Sequence, residues 1–322
     1  MRSMIRTNLV LAVMLLLAGQ AFAQSDQHYT LFMYNKLLYN PAYTGSRELT
    51  SANAVYRDQW DGINGAPKTV SVSLDGLVGS FMKPFRRVAI GLSVGNEKAG
   101  VENNTILKAY YAYRIRLKTS VLSFGLSGGG NLYSAGYSDL NLYQQNDPNF
   151  SYNIKNAMLP NFGAGAYWYS DKYYAGFSVP NLLEDYYDKK EVKINNKIAR
   201  QIRGYYLSGG YVFKLNESID IEPQLLARYA VNSDYKLPFN CDINLTAIAL
   251  ERFMVGLTYR TDKSIEFIVH VQATKKLNVG YAYDYMVSGL NGYNGGTHEI
   301  VVGYDFVRDM SKYLTPRFIK KF

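Results

Sequence analysis

Leu277-Asn278-Val279-Gly280-Tyr281-Ala282-Tyr283-Asp284-Tyr285 puts a bulky side chain at every odd position and a small or polar one at every even position. A period of two marks a β-strand whose two faces meet different surroundings. The pattern recurs along the chain. In Thr297–Phe306, Ile300, Val302, Tyr304 and Phe306 oppose Glu299, Gly303 and Asp305. In Ile265–Val271, Ile265, Phe267, Val269 and Val271 oppose Glu266, Ile268 and His270. Phe253–Arg260, Ile219–Val231 and Leu107–Leu117 repeat it, with Arg260, Glu222, Arg228, Lys108, Arg114 and Arg116 on polar faces. Strands are expected to begin near Ser51, Lys68, Arg87, Thr105, Val121, Met158, Tyr173, Ile202, Ile219, Phe239, Phe253, Ser264, Leu277 and Thr297, an even set of 14.

The connections between them segregate by length. Tight turns fall at Lys118-Thr119, Ser170–Lys172, Leu215–Glu217, Leu250–Arg252 and Thr274–Lys276. Longer loops fall at Ser134–Ala157, Asn181–Gln201, Asn232–Pro238 and Met286–Gly296. Leu77–Arg86 is long for its side and Thr261–Lys263 short for its side. A two-sheet sandwich also alternates, so alternation alone leaves that fold open. Segregated loops, an even count, strands of about 10 residues and dense tyrosine together select a transmembrane barrel with short periplasmic turns and long external loops. Tyr167-Trp168-Tyr169 and Tyr173-Tyr174 are expected in its interfacial girdle.

Composition agrees. Of 322 residues, 30 are Tyr, and a hydrophobic content of 48% excludes a disordered chain. The single Cys, Cys241, excludes an intramolecular disulfide and a Cys-based zinc cluster. Residues 1–23 read as a signal peptide: Arg2 and Arg6, an apolar Leu9–Ala18, then Ala21-Phe22-Ala23 before Gln24. Its removal takes two cations and no acid from a formal +9, leaving +7, a mild excess that does not argue for nucleic acid. The remainder has no apolar run near the ~18 residues of a spanning helix, so a spanning product must be a closed barrel.

Residues 24–50 lie outside the strand pattern. Leu31-Phe32-Met33-Tyr34 and Leu37-Leu38-Tyr39 need a place to bury, and Pro41 ends any helical turn at Asn40. A plug in the lumen or its periplasmic mouth is expected, against a flexible leader. Residues 51–307 form the barrel. Residues 308–322, with Arg308, Lys312, Arg317, Lys320 and Lys321 against Asp309, form a basic periplasmic tail that is either solvated or a docking peptide. Both termini are expected in the periplasm.

The residues show no catalytic arrangement. His28, His270 and His298 lack metal-ligand spacing; His270 shares a face with Glu266, and His298 adjoins Glu299. Lumen lining is the commoner explanation. Gly128-Gly129-Gly130 lacks the Lys-Ser/Thr of a phosphate loop and reads as a bend or close packing in a strand. No enzyme, cofactor or metal is expected. Inward Lys108, Arg114, Arg116, Arg228 and Arg260 would either tune solute selectivity or pair with Asp220, Glu222, Asp284 and Glu299.

Three ordered motifs resemble the PorP/SprF family. Gln27–Gly45 contains Phe32 and Asn40-Pro41-Ala42-Tyr43-Thr44-Gly45; the second motif, Arg57–Thr69, contains Gln59, Trp60, Gly62, Gly65, Ala66 and Pro67; Gly296–Ile300 contains His298 and Glu299. The resemblance implies these positions are structural or partner-binding. It implies an outer-membrane component of the type IX secretion and gliding machinery, with partners in the outer membrane and periplasm, outer-membrane lipid around it, and secreted cargo such as adhesins carrying a C-terminal signal. A solute channel, porin-like or for hydrophobic substrates, is the alternative.

Overall fold

Alternation becomes architecture through an unbroken antiparallel ladder. The computed structural model describes residues 29–78, 87–139, 153–183, 203–231, 239–287, 292 and 294–306. The strands are β1 (Thr50–Asp58), β2 (Lys68–Leu77), β3 (Val88–Ala99), β4 (Glu102–Arg116), β5 (Val121–Ala135), β6 (Ile154–Tyr169), β7 (Tyr173–Val179) and β8 (Arg203–Tyr211). There follow β9 (Phe213–Lys214), β10 (Ile219–Val231), β11 (Asn240–Ala249), β12 (Phe253–Arg260), β13 (Ser264–Gln272), β14 (Leu277–Met286) and β15 (Thr297–Phe306). Sequence neighbours pair, and β15 returns to β1 with Thr50 opposite Phe306, so 14 strands close into a ring. The extra strand, β9, continues β8 after a lapse at Val212. Pro223, which has no N–H to give the ladder, lies across from that lapse.

The wall is inside-out relative to a soluble sandwich. Val70, Val72, Leu74, Leu107, Leu126, Leu245, Val255, Phe267 and Val302 are 40% exposed or more, whereas Arg57, Asp75, Arg114, Asp242, Glu266, Asp284 and Glu299 are 3% exposed or less. Only an apolar solvent outside makes that arrangement stable, and a closed ladder leaves no backbone group unpaired to it. Expected and observed faces agree along most of each strand, with corrections at Arg116, which is exposed at the end of β4, and in the girdle. Trp168 is 43% exposed, but Tyr167, Tyr169 and Tyr174 point inward at 4% or less, where they pack against the N-terminal segment.

Thr50, Phe306 and the short turns share one end, which we take as periplasmic. The other end carries the long connections, together with two short ones, Gly100-Val101 and Thr261–Lys263. The wall is uneven: β4, β5 and β6 have 15, 15 and 16 residues, while β12 has 8. On the tall side the outward apolar band stops at Val94, Leu107, Leu132 and Met158. Above it, Asn96 bonds Asn103 and Thr105, and Ser134 bonds Asn156. Several expectations lie outside the described residues: the signal peptide 1–23, residues 24–28, Asn232–Pro238, Arg308–Phe322, and most of the loops Ser134–Ala157 and Asn181–Gln201.

Candidate functional site: three motifs meet in the lumen

Residues 29–49 lie inside the ring, whose 14 strands enclose more space than wall side chains fill. The path is a chain of tight turns with one short helix, α1 (Lys36–Tyr39), and a 3₁₀ turn, Pro41–Tyr43. Asn40 is extended at ψ 110°, as a residue before proline prefers, and this ends α1. Its side-chain carbonyl caps Ala42 N–H at 2.9 Å, and its amide donates to Ala166 O at 3.0 Å. Leu31, Phe32 and Met33 pack with Val55, Leu226, Ile268, Ala282 and Val301 from the wall. Leu37, Ala42 and Tyr43 pack with Tyr110, Tyr167, Tyr169 and Tyr174. Each large apolar side chain buried this way contributes about 1.5–3 kcal/mol relative to a wet lumen.

The wall is built to receive this chain. A Cβ on Gly125 would collide with the Pro41–Ala42 peptide, and one on Gly165 with the Asn40 side chain. Gly45 sits at φ +68° and gives its N–H to Asp75 at 2.7 Å; a Cβ there would strike Ala89. Ser178 donates to Tyr39 O at 2.7 Å. We expect Gly125→Leu to push the Asn40–Tyr43 turn off the wall without disturbing strand pairing. The check is a lower thermal midpoint together with new protease cutting within residues 29–49, the folded barrel band remaining intact.

At the upper end the three motifs converge. Arg57 bridges two carboxylates, Glu299 at 2.9 Å and Asp284 at 3.1 Å, and also donates to the Thr30 hydroxyl. Glu299 accepts the backbone N–H of Thr30 at 2.8 Å and of Leu31 at 3.0 Å. The Thr30 hydroxyl donates to Asp284 at 2.7 Å. Next to this clamp, Arg228 pairs with Asp242 at 2.7 Å, and Arg260 joins Asp242 at 3.1 Å to Glu266 at 2.6 Å. Charges so dry persist only when each meets an opposite partner. The Tyr39 hydroxyl accepts Tyr29 N–H at 3.0 Å.

The second motif forms the outer rim. Gln59 N–H bonds Pro67 O at 3.0 Å, Ala66 N–H bonds Ile63 O, and Gly62 and Gly65 take φ of +89° and +78°. Asp61 exchanges backbone bonds with Gly295 and Gly296, and Trp60, at φ +54°, bonds Thr297 and Met286. Thus second and third motifs are stapled at the rim while Arg57 and Glu299 meet beneath. His298 is separated from Glu299: it faces outward, bonded to Tyr281 OH at 2.7 Å. His270 faces inward but stacks on Tyr34 and bonds Asn278, not Glu266. Arg116, expected inside, has its side chain 57% exposed, and Arg228 pairs with Asp242 rather than Asp220 or Glu222. Among the described residues no cluster of His, Cys, Asp and Glu could hold a metal. Thr30, Leu31, Asp75 and Gly125 carry no local sign of a site, and Asp284 is marked in sequence only as one of four acids able to face inward cations; their roles depend on register.

A family model described as type IX secretion system membrane protein PorP/SprF matches residues 21–304, nearly the whole chain. The chain belongs to the PorP/SprF family. It is therefore an outer-membrane component of type IX secretion. No curated protein matches it. Among solved structures, the outer membrane protein Omp33 of Acinetobacter baumannii is similar at 7% identity and a TM-score of 0.44, over 82% of this chain and 100% of that one. The KdgM porin is similar at 11% and 0.37, over 80% and 99%. A triple-mutant porin of Rhodopseudomonas blastica is similar at 8% and 0.34, over 80% and 99%. Within the PorP/SprF family, then, the motifs of this chain map onto a lumen filled by its own N-terminal segment.

Proposed function

We propose that this PorP/SprF protein is a non-enzymatic anchor of the type IX machinery, supporting export or surface attachment of cargo, such as adhesins, that carry a C-terminal sorting signal. The observation that carries this reading is the occupied lumen. A barrel whose interior is packed with apolar side chains and paired charges from its own chain is suited to hold a position rather than to pass solutes. Residues 29–49 act as its plug. Charge supports partners in the periplasm and a periplasmic C-terminal tail. Among the described residues, the short-turn end exposes Arg87, Lys118, Lys172, Arg252, Lys275 and Lys276 against Asp171, Glu217 and Glu251. The long-loop end sets Lys68, Lys98, Lys155, Arg203 and Lys263 against Asp58, Asp61, Glu97, Glu102 and Asp262, with no excess of either sign. A face with an excess of cations steers an acidic partner.

The test is gene deletion followed by proteomics of the cell surface. Cargo with the C-terminal signal is expected to disappear from the surface and return with the wild-type gene. Complementation with Lys118, Lys172, Lys275 and Lys276 all changed to Glu is expected to restore the barrel but not the cargo. An unchanged surface proteome after deletion sinks the assignment.

A further inference from the structure

The segment inside the lumen has a direction. Its carboxyl end is fixed at the periplasmic rim. Leu49 joins Thr50, which pairs with Phe306; Arg47 pairs with Asp305 at 2.7 Å; and Gly45 is held by Asp75. Its amino end is held near the opposite rim. The Thr30 and Leu31 amides and the Thr30 hydroxyl are bound by Glu299, Asp284 and Arg57. Arg57 is the last residue but one of β1; Glu299 is third from the outer end of β15, and Asp284 third from that of β14. From Thr50 to Arg57 the strand climbs about 20 Å along its axis, against an apolar band about 25 Å tall.

The way back is closed. Beneath Thr30 lies the layer of Leu31, Phe32 and Met33 packed on Ile268, Ala282 and Val301, all 4% exposed or less. The residues preceding Tyr29 are Gln24-Ser25-Asp26-Gln27-His28. Taking Asp26 down through that layer would bury a carboxylate among apolar groups, which costs several kcal/mol. Thr30 itself is held by Arg57, Asp284 and Glu299.

We propose that residues 29–49 cross the lumen with Leu49 at the periplasmic rim and Tyr29 toward the extracellular rim, so that the amino end of the chain is reached from outside the cell while the last strand ends, at Phe306, on the periplasmic side. This revises the expectation of two periplasmic termini. The inference rests on the short-turn end facing inward and not on the secretion role.

Sidedness labelling tests it in intact cells. Cys241→Ser removes the native thiol. Ser25→Cys, Lys263→Cys in an outer turn and Lys172→Cys in a short turn are then added singly and treated with a membrane-impermeant maleimide. Ser25→Cys is expected to label as Lys263→Cys does, with Lys172→Cys labelling only after permeabilisation. Labelling of Ser25→Cys only after permeabilisation, or only after denaturation, overturns the proposal. Should that variant not assemble, an epitope placed between Ser25 and Asp26 decides in the same way, by antibody staining of intact against permeabilised cells.

Discussion

Deleting residues 29–47, with Gln24–His28 left to lead directly into Glu48, is expected to turn a silent barrel into a conducting one. The deletion removes no strand and no ladder bond, since β1 begins at Thr50. It removes Leu31, Phe32, Met33, Leu37 and Tyr43, which lie between opposite walls. The wall that remains is lined by Asp75, Ser71, Ser127, Asn161, Ser178, Arg57 and Glu299, groups that water solvates well. A ring of 14 strands emptied in this way approaches the porins in width, and planar-bilayer current should rise on the order of tenfold or more over the intact protein. Cells carrying the variant should also become sensitive to large antibiotics that the outer membrane excludes. A deletion barrel that folds, shows its compact band on a gel, and remains as silent as the intact one would remove the plug from the account.

Arg57→Ala is expected to be the most destabilising single substitution in the wall. The guanidinium is nearly dry and bridges Glu299 and Asp284, which are 0% and 2% exposed. Truncation leaves two buried carboxylates facing each other with no cation between them, and breaking a buried pair in this way costs about 3–5 kcal/mol. Arg57→Lys keeps the charge but loses the fork that reaches both carboxylates, so its loss should be smaller. Pairing Arg57→Ala with Glu299→Gln removes one orphaned charge and should recover part of the stability. The measurement is the urea midpoint of the barrel in micelles for all three variants. Equal midpoints for Arg57→Ala and wild type would mean the clamp holds nothing.

How much of this was legible in the sequence depended on the range of the forces involved. Strand faces follow from neighbours two apart, so Tyr281, Val279 and Ile300 declared their side unaided, and every expected strand start fell within a few residues of its element. The girdle reading of Tyr167, Tyr169 and Tyr174 failed because the sequence does not say whether an aromatic near a turn meets lipid or another aromatic. His298 and Glu299 were read together as neighbours, yet consecutive strand residues point to opposite sides. Arg57 opens the second motif, yet nothing next to it in sequence marks it as a site. Its partners lie 227 and 242 residues away, brought near only when β15 closes on β1. Asp284 and Gly125 matter for the same reason: neither carries local meaning until register places it opposite Thr30 or Pro41.

The uneven wall gives the molecule a front and a back within the plane of the membrane. Beyond the last outward apolar side chains, Leu132 and Met158, β5 and β6 continue for three and four residues, about 10–13 Å along the strands. Their outward side changes there from Leu132 and Met158 to Ser134 and Asn156, leaving a hydrated parapet above the lipid headgroups. Strands β1, β2, β7, β8 and β11 to β15, of 7 to 10 residues, make up the shorter part of the circumference. The barrel is therefore not a uniform cylinder to its surroundings: it turns a raised polar flank to one side of the bilayer plane and a low rim to the other.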